Sequence, residues 1–207
     1  MTTMLTQVFL QLVTRYTKDS NLANNLWLEI FTLYSDSKRH YHTTTHLENL
    51  LSELAEVKDH IQDWDTILFA LYYHDAIYKS TSSTNEEESA RLAQKRLKEI
   101  GYPDDRIQDC CNLILATKHH NFSEFPDVNY FTDADLSVLG KNWDVYQDYY
   151  QHVREEYNSY PDFMYSSGRK KVLENFLKMD KIFKTDYFFQ KYEAQARYNI
   201  ENEISQL

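Results

Sequence analysis

The stretch Trp64-Asp65-Thr66-Ile67-Leu68-Phe69-Ala70-Leu71-Tyr72-Tyr73-His74-Asp75-Ala76-Ile77-Tyr78 decides how this chain is read. It is an apolar run with helical periodicity. Trp64, Ile67, Leu68 and Leu71 share one stripe, and His74 and Asp75 fall three and four places past Leu71, on the same face. The spacing predicts a helix over about 63–79 that turns an aspartate toward the core. An unpaired carboxylate there costs several kcal/mol or forces a large pKa shift. A cation must meet it, and a metal ion that takes the His nitrogen and the Asp oxygen together is the candidate.

The flanking sequence supports an all-helical reading. The 207 residues include three Gly and three Pro, too few for the turns of a hairpin-rich fold. Strand-like alternation is absent. Helices are predicted over about 4–17, 20–35, 44–57, 84–100, 104–118, 133–139, 142–158, 167–183 and 186–205. Thr84-Asn85-Glu86-Glu87 reads as a capping box. Gly101 and Gly140 read as helix stops, and 119–130 reads as irregular. With no repeat, low-complexity segment or linker, residues 1–207 are expected to form one domain. In it 1–20 would supply an N-terminal helix, and 140–207 would supply helices packed on the central core.

Composition narrows the function. The net charge of −10 disfavours a polyphosphate backbone, so duplex nucleic acid is not an expected partner, while a small phosphorylated ligand fits a local pocket. The adjacent Cys110 and Cys111 are read as small core-side residues without a disulfide. The start, Met1 to Asp19, lacks the basic and apolar regions of a signal peptide, and no run approaches a membrane span. A cytoplasmic protein without a membrane partner is expected. The aromatic richness is compatible with a homodimer, though no stripe marks an interface.

Three other places could complete a metal site. His42 and His46 are four apart. His119 and His120 end a helix, and helical geometry does not choose between them. Asp133 and Asp135 flank a short helix. Two apart means opposite faces, and Asp135 shares the face of Leu136 and Leu139. Asp135 is therefore read as the ligand. Asp133 is read as a cap or first-turn acid, worth on the order of 1 kcal/mol.

In order, His46, His74-Asp75 and Asp135 resemble the H…HD…D pattern of the HD-domain superfamily of metal-dependent phosphohydrolases. The wider signature resembles one branch of small predicted phosphohydrolases. Its pieces here are Arg39, Tyr41, His42 and His46, then Tyr73 to Tyr78, Asn85-Glu86 with Ser89, Ala116-Thr117-Lys118 with His120, and Asp133-Ala134-Asp135-Leu136. Arg154 to Tyr157, Gly168-Arg169 and Ala196-Arg197 with Asn199 continue it, so the likeness runs from about residue 20 onward. The resemblance implies an all-α HD-type bundle with one divalent ion (Mn, Fe, Co, Ni, Zn or Mg) on His46, His74, Asp75 and Asp135. It implies hydrolysis of a small phosphorylated metabolite, such as a nucleotide. A nucleotide-binding regulator that keeps the metal pocket without turnover is the alternative.

Around these ligands, Asp75, His120, Arg39 and His42 are the candidate catalytic groups. His42 would contact substrate or orient a ligand. Arg39 would bind phosphate through its fork, or lock its loop by an ion pair. His120 would act as general acid or anion contact, or end a helix in solvent. Asn85 and Glu86 would position water or cap their helix. Arg154, Arg169 and Arg197 are read as ion-pair partners of the acidic helices.

Overall fold

The computed structural model describes residues 3–207, so the first two positions of the N-terminal segment lie outside the described residues. The fold is all-α, with no strand among the described residues. Its helices are α1 (Met4–Val13), α2 (Ser20–Tyr34), α3 (Thr44–Glu56), α4 (Trp64–Tyr73), α5 (Asn85–Glu99), α6 (Asp104–Ala116), α7 (Pro126–Asp135), α8 (Trp143–Glu156), α9 (Asp162–Lys178) and α10 (Asp186–Gln206). Short 3-10 turns lie at Lys58–His60 and Leu136–Gly140. Among the described residues no helix is long and apolar enough to cross a membrane. The chain divides into two compact units between Thr132 and Asp133, a point inside α7. No Gly, Pro or polar linker marks that point, so composition does not announce it.

In the first unit α4 is the central element and packs against α1, α3, α5 and α6. Every residue from Thr66 to Tyr73 is buried. The helix is therefore enclosed all round rather than striped, as befits a run with so few polar positions. Burying each of its large side chains contributes about 1.5–3 kcal/mol. Aromatic contacts finish the packing. Phe9 meets Tyr72 edge-on at 4.9 Å, and Tyr16 meets Tyr102 at 4.6 Å. The Tyr72 hydroxyl donates to the Leu5 carbonyl, so its burial leaves no orphan. Cys110 and Cys111 are both buried and unbonded.

Helix starts follow side-chain chemistry. Thr3, Asp19, Thr43 and Asp63 each accept a backbone N–H from the first turn of α1, α2, α3 and α4. Asp63 also pairs with Arg106. Burial pushes its carboxyl up, but Arg106 and Thr66 outweigh that and hold it below the ordinary range. The expected capping box at Thr84 does not form. Thr84 makes no cap bond to α5 and instead donates to Glu88, while Glu87 is drawn off to Lys118. At the other end of α5, Gly101 has φ +75°. The Tyr102 N–H reaches the Leu97 carbonyl and the Gly101 N–H reaches that of Lys98. This is a Schellman closure, and the left-handed backbone is the reason for glycine there.

The second unit is built on α10, which packs against α9 and the 3-10 turn at Leu136–Gly140. Gly140 is not a left-handed stop. A side chain there would collide with Tyr192, so its role is close approach between turn and helix. Asn199 holds the same turn by donating to the Leu139 and Lys141 carbonyls. Arg169 is buried and paired through its fork with Glu203. Arg154 pairs with Asp162 and Arg197 with Glu193, so all three arginines are ion-pair partners.

Asp133 departs from its expected place. The helix begins at Pro126 rather than near Asp133, because Pro suits a first-turn position. Asp133 is thus in the last turn of α7, fully buried. It accepts the backbone N–H groups of Lys184 and Thr185 and the Thr185 hydroxyl at 2.7–2.9 Å, just ahead of α10. The buried Lys184 ammonium stands 3.5 Å away. Burial pushes the Asp133 carboxyl up against these partners. Asp133→Ala is expected to cost about 3–5 kcal/mol in urea denaturation, because it leaves a buried ammonium and two N–H groups without their acceptor. A loss near 1 kcal/mol, that of an exposed cap, would contradict this role.

Candidate metal centre

Three side chains of the first unit converge. His46, in the first turn of α3, points its Nε2 at the Nε2 of His74, 3.1 Å away. The Asp75 Oδ2 lies 3.1 Å from the His74 Nε2 and 3.8 Å from that of His46. His46 and His74 are buried and Asp75 is half-buried. Ligands bonded to a cation at about 2.0–2.2 Å stand about 3–3.5 Å from one another, a range that two of these separations meet and the third, 3.8 Å, slightly exceeds.

The proton inventory agrees. The His74 Nδ1 is 2.9 Å from the Leu71 carbonyl, which can only accept, so Nδ1 carries the hydrogen. In the neutral ring Nε2 then presents a lone pair. That lone pair, the facing His46 nitrogen and a carboxylate oxygen share one small space. The two Nε2 atoms can share a hydrogen bond, and a cation could instead take all three groups together, a hydrogen-bonded second nitrogen being the usual support of a metal-binding histidine. The donor set of two imidazoles and one carboxylate fits the metals the sequence suggests.

α4 ends at Tyr73, earlier than the predicted 79, and His74 is its C-cap. Beyond it, partners from other helices take the backbone away from helical bonding. The Tyr34 hydroxyl accepts the Asp75 N–H at 3.2 Å, and Ser89 accepts the Ile77 N–H at 3.0 Å. Consecutive residues of a continuous helix would splay about 100° apart. His74 itself keeps helical backbone angles, so it is the side chains that bring the His74 Nε2 and the Asp75 Oδ2 to 3.1 Å.

His42 lies beside the cluster, its Nε2 3.9 Å from the Asp75 Oδ2. Its ring stacks on Tyr78 with centroids 4.2 Å apart. Arg39 is buried and aims its fork at carbonyls. It donates to His42, to Asp75 at 2.7 Å and to Ala76 at 2.9 Å. Its guanidinium also sits over the rings of Tyr34 and Tyr78. Of the two adjacent histidines, His119 is exposed and His120 half-buried, with φ +51° at the end of the α6 segment. Asn85 bonds both backbone groups of Lys79 rather than the start of its own helix. Glu86 stands 3.8 Å from Lys118. Asp135 is the last residue of α7 and belongs to the second unit.

Sequence reasoning did not find Tyr34. A tyrosine at the end of an amphipathic helix carries no signal that its hydroxyl serves a residue 41 positions away. No family model, no curated protein and no solved structure matches the chain.

Arg39→Lys keeps the charge but cannot hold three carbonyls in one plane. The expected cost is about 2–4 kcal/mol of unfolding free energy, measured in urea. A fully stable lysine variant would show that the fork is dispensable.

Proposed function

We propose that this protein is a metal-dependent phosphohydrolase of HD type that acts on a small phosphorylated metabolite, a nucleotide being the favoured class. The observation that carries the reading is the convergence of the His46 Nε2, His74 Nε2 and Asp75 Oδ2 within 3.1–3.8 Å. The resemblance of the motif order to HD phosphohydrolases supplies the reaction class. His46, His74 and Asp75 would hold one divalent ion. Such an ion, when bound, supplies a water acidified toward neutral pH and a Lewis acid for a phosphoryl oxygen.

The chain's own groups have separable tasks. His74 is held in one tautomer by the Leu71 carbonyl and keeps its Nε2 free of hydrogen. Asp75 brings the negative charge that favours a divalent ion at this half-buried position. His42, ordered by its stack on Tyr78, is placed to hold or pass a proton next to Asp75. Arg39 serves as a positioning residue through three of its five donors, which hold the carbonyls of His42, Asp75 and Ala76. His120 is retained as an anion contact or acid on sequence grounds. The net charge of −10 favours small ligands over nucleic acid.

Asp75→Ala and His74→Ala are expected to lose stoichiometric metal, read by elemental analysis after loading with Mn, Co or Zn. Phosphate release from a panel of nucleoside mono-, di- and triphosphates, cyclic nucleotides and a generic phosphate ester should fall at least about 100-fold. Unchanged metal content in both variants would remove the reading. Nucleotide binding without product in any metal form would favour the regulator instead.

The fourth ligand, Asp135, rests on the sequence resemblance and has its own test. Asp135→Ala should weaken metal binding by about 10-fold or more in a titration. Unaltered affinity would strike Asp135 from the set.

A further inference from the structure

We infer that Asn85 and Ser89 on α5 are positioning residues for the Asp75 carboxylate. They act by clamping the irregular backbone that follows it, an inference that rests on the metal reading above. After His74 the chain runs through turns and bends to Lys79 with no helix or strand to fix it. A carboxylate on such a segment would wander, whereas a metal ligand must hold its place to about 0.5 Å.

The segment is instead pinned by side chains, residue by residue. Ser89 is fully buried, and its hydroxyl faces Ile77 both ways. It accepts the Ile77 N–H at 3.0 Å and donates to the Ile77 carbonyl at 3.2 Å. Asn85 does the same for Lys79. Its Oδ1 accepts the Lys79 N–H at 3.1 Å and its Nδ2 donates to the Lys79 carbonyl at 3.0 Å. From the other side, Tyr34 takes the Asp75 N–H, and Arg39 takes the Asp75 and Ala76 carbonyls.

Asn85 and Ser89 are four apart, so one face of α5 presents both, and they grip two residues, Ile77 and Lys79, of the irregular segment. Each behaves like a strand partner made of a side chain, supplying one acceptor and one donor. The Ser89–Ile77 bonds are part-buried, where a backbone group without a partner costs about 1–3 kcal/mol, while the Asn85–Lys79 bonds are exposed and water can take their place. Losing either side chain therefore loosens the segment locally without unfolding the domain. The Asn-x-x-x-Ser spacing is thereby assigned a task. It transmits the rigidity of α5 to the residue that carries the charge of the centre.

The test compares Asn85→Ala and Ser89→Ala with the unaltered chain. Glu88→Ala, an exposed change on the same turn of α5, is the control. Mn2+ affinity is measured by titration, and amide hydrogen exchange at Ile77 and Lys79 is measured without metal. Both clamp variants should melt cooperatively, exchange these amides at least about 10-fold faster and bind Mn2+ at least about 10-fold more weakly. Asn85→Asp keeps the acceptor and loses the donor, and should fall between Asn85→Ala and the unaltered chain.

Folded clamp variants with unchanged Mn2+ affinity would overturn the inference, even if the amides exchange faster. Equal weakening in Glu88→Ala would also overturn it, by showing a general effect on α5. If Ser89→Ala does not fold, Asn85→Ala alone decides by the same affinity criterion. An unaltered chain that binds no Mn2+, Co2+ or Zn2+ would instead overturn the metal reading, and this inference with it.

Discussion

Everything at the centre of the first unit depends on three electron-pair donors being forced into one small space. The Nε2 atoms of His46 and His74 stand 3.1 Å apart, and the Asp75 carboxylate closes the triangle. Water cannot relieve this crowding easily, because both rings are buried. In a medium of low dielectric such groups need partners; the two Nε2 atoms are within hydrogen-bonding distance of each other, and the cation proposed for this point would join all three groups. The folded scaffold supports that geometry from several directions. The Leu71 carbonyl sets the tautomer of His74, Tyr34 and Arg39 hold the Asp75 backbone, and α5 grips the residues beyond it.

The same logic recurs away from the centre. Irregular backbone in this protein is repeatedly satisfied by single side chains that bond it on two sides. Asp133 does so for Lys184 and Thr185, Glu193 for Ile182 and Phe183, and Asn199 for Leu139 and Lys141. A chain with three glycines and three prolines has few turns that close themselves. Its connections borrow donors and acceptors from neighbouring helices instead. This makes several polar residues structural that a motif reading would assign to chemistry, with Arg39 and Asn85 as the clearest cases.

For function, the distinction matters. A phosphate-binding arginine needs donors turned to solvent or ligand, and three of the five N–H donors of Arg39 are turned to carbonyls. On the proposed function, His42, whose Nε2 lies 3.9 Å from the Asp75 carboxylate, would be the nearest proton-transfer group. A hydrolase built this way would rely on its bound ion for charge stabilisation and on its histidines for protons.

Much of this was readable without coordinates. Long apolar periodicity and the scarcity of Gly and Pro were enough for the all-α class, since nothing else buries such runs. The His-Asp pair at a core-facing position pointed to partners for its carboxylate, and the structure brings His46 and His74 to it. Helix caps at Asp19, Thr43 and Asp63 follow from local chemistry and are local in the structure. What sequence could not supply were long-range hydrogen bonds. The end of α4 at Tyr73, the burial of Asp133 beside Lys184 and the two-sided grips of Asn85 and Ser89 all depend on partners between 6 and 51 positions away. Helical periodicity is a property of neighbours along the chain. Which orphan N–H meets which hydroxyl is a property of packing, and it is packing that ends the helix at Tyr73 and brings His46 to the His74-Asp75 pair.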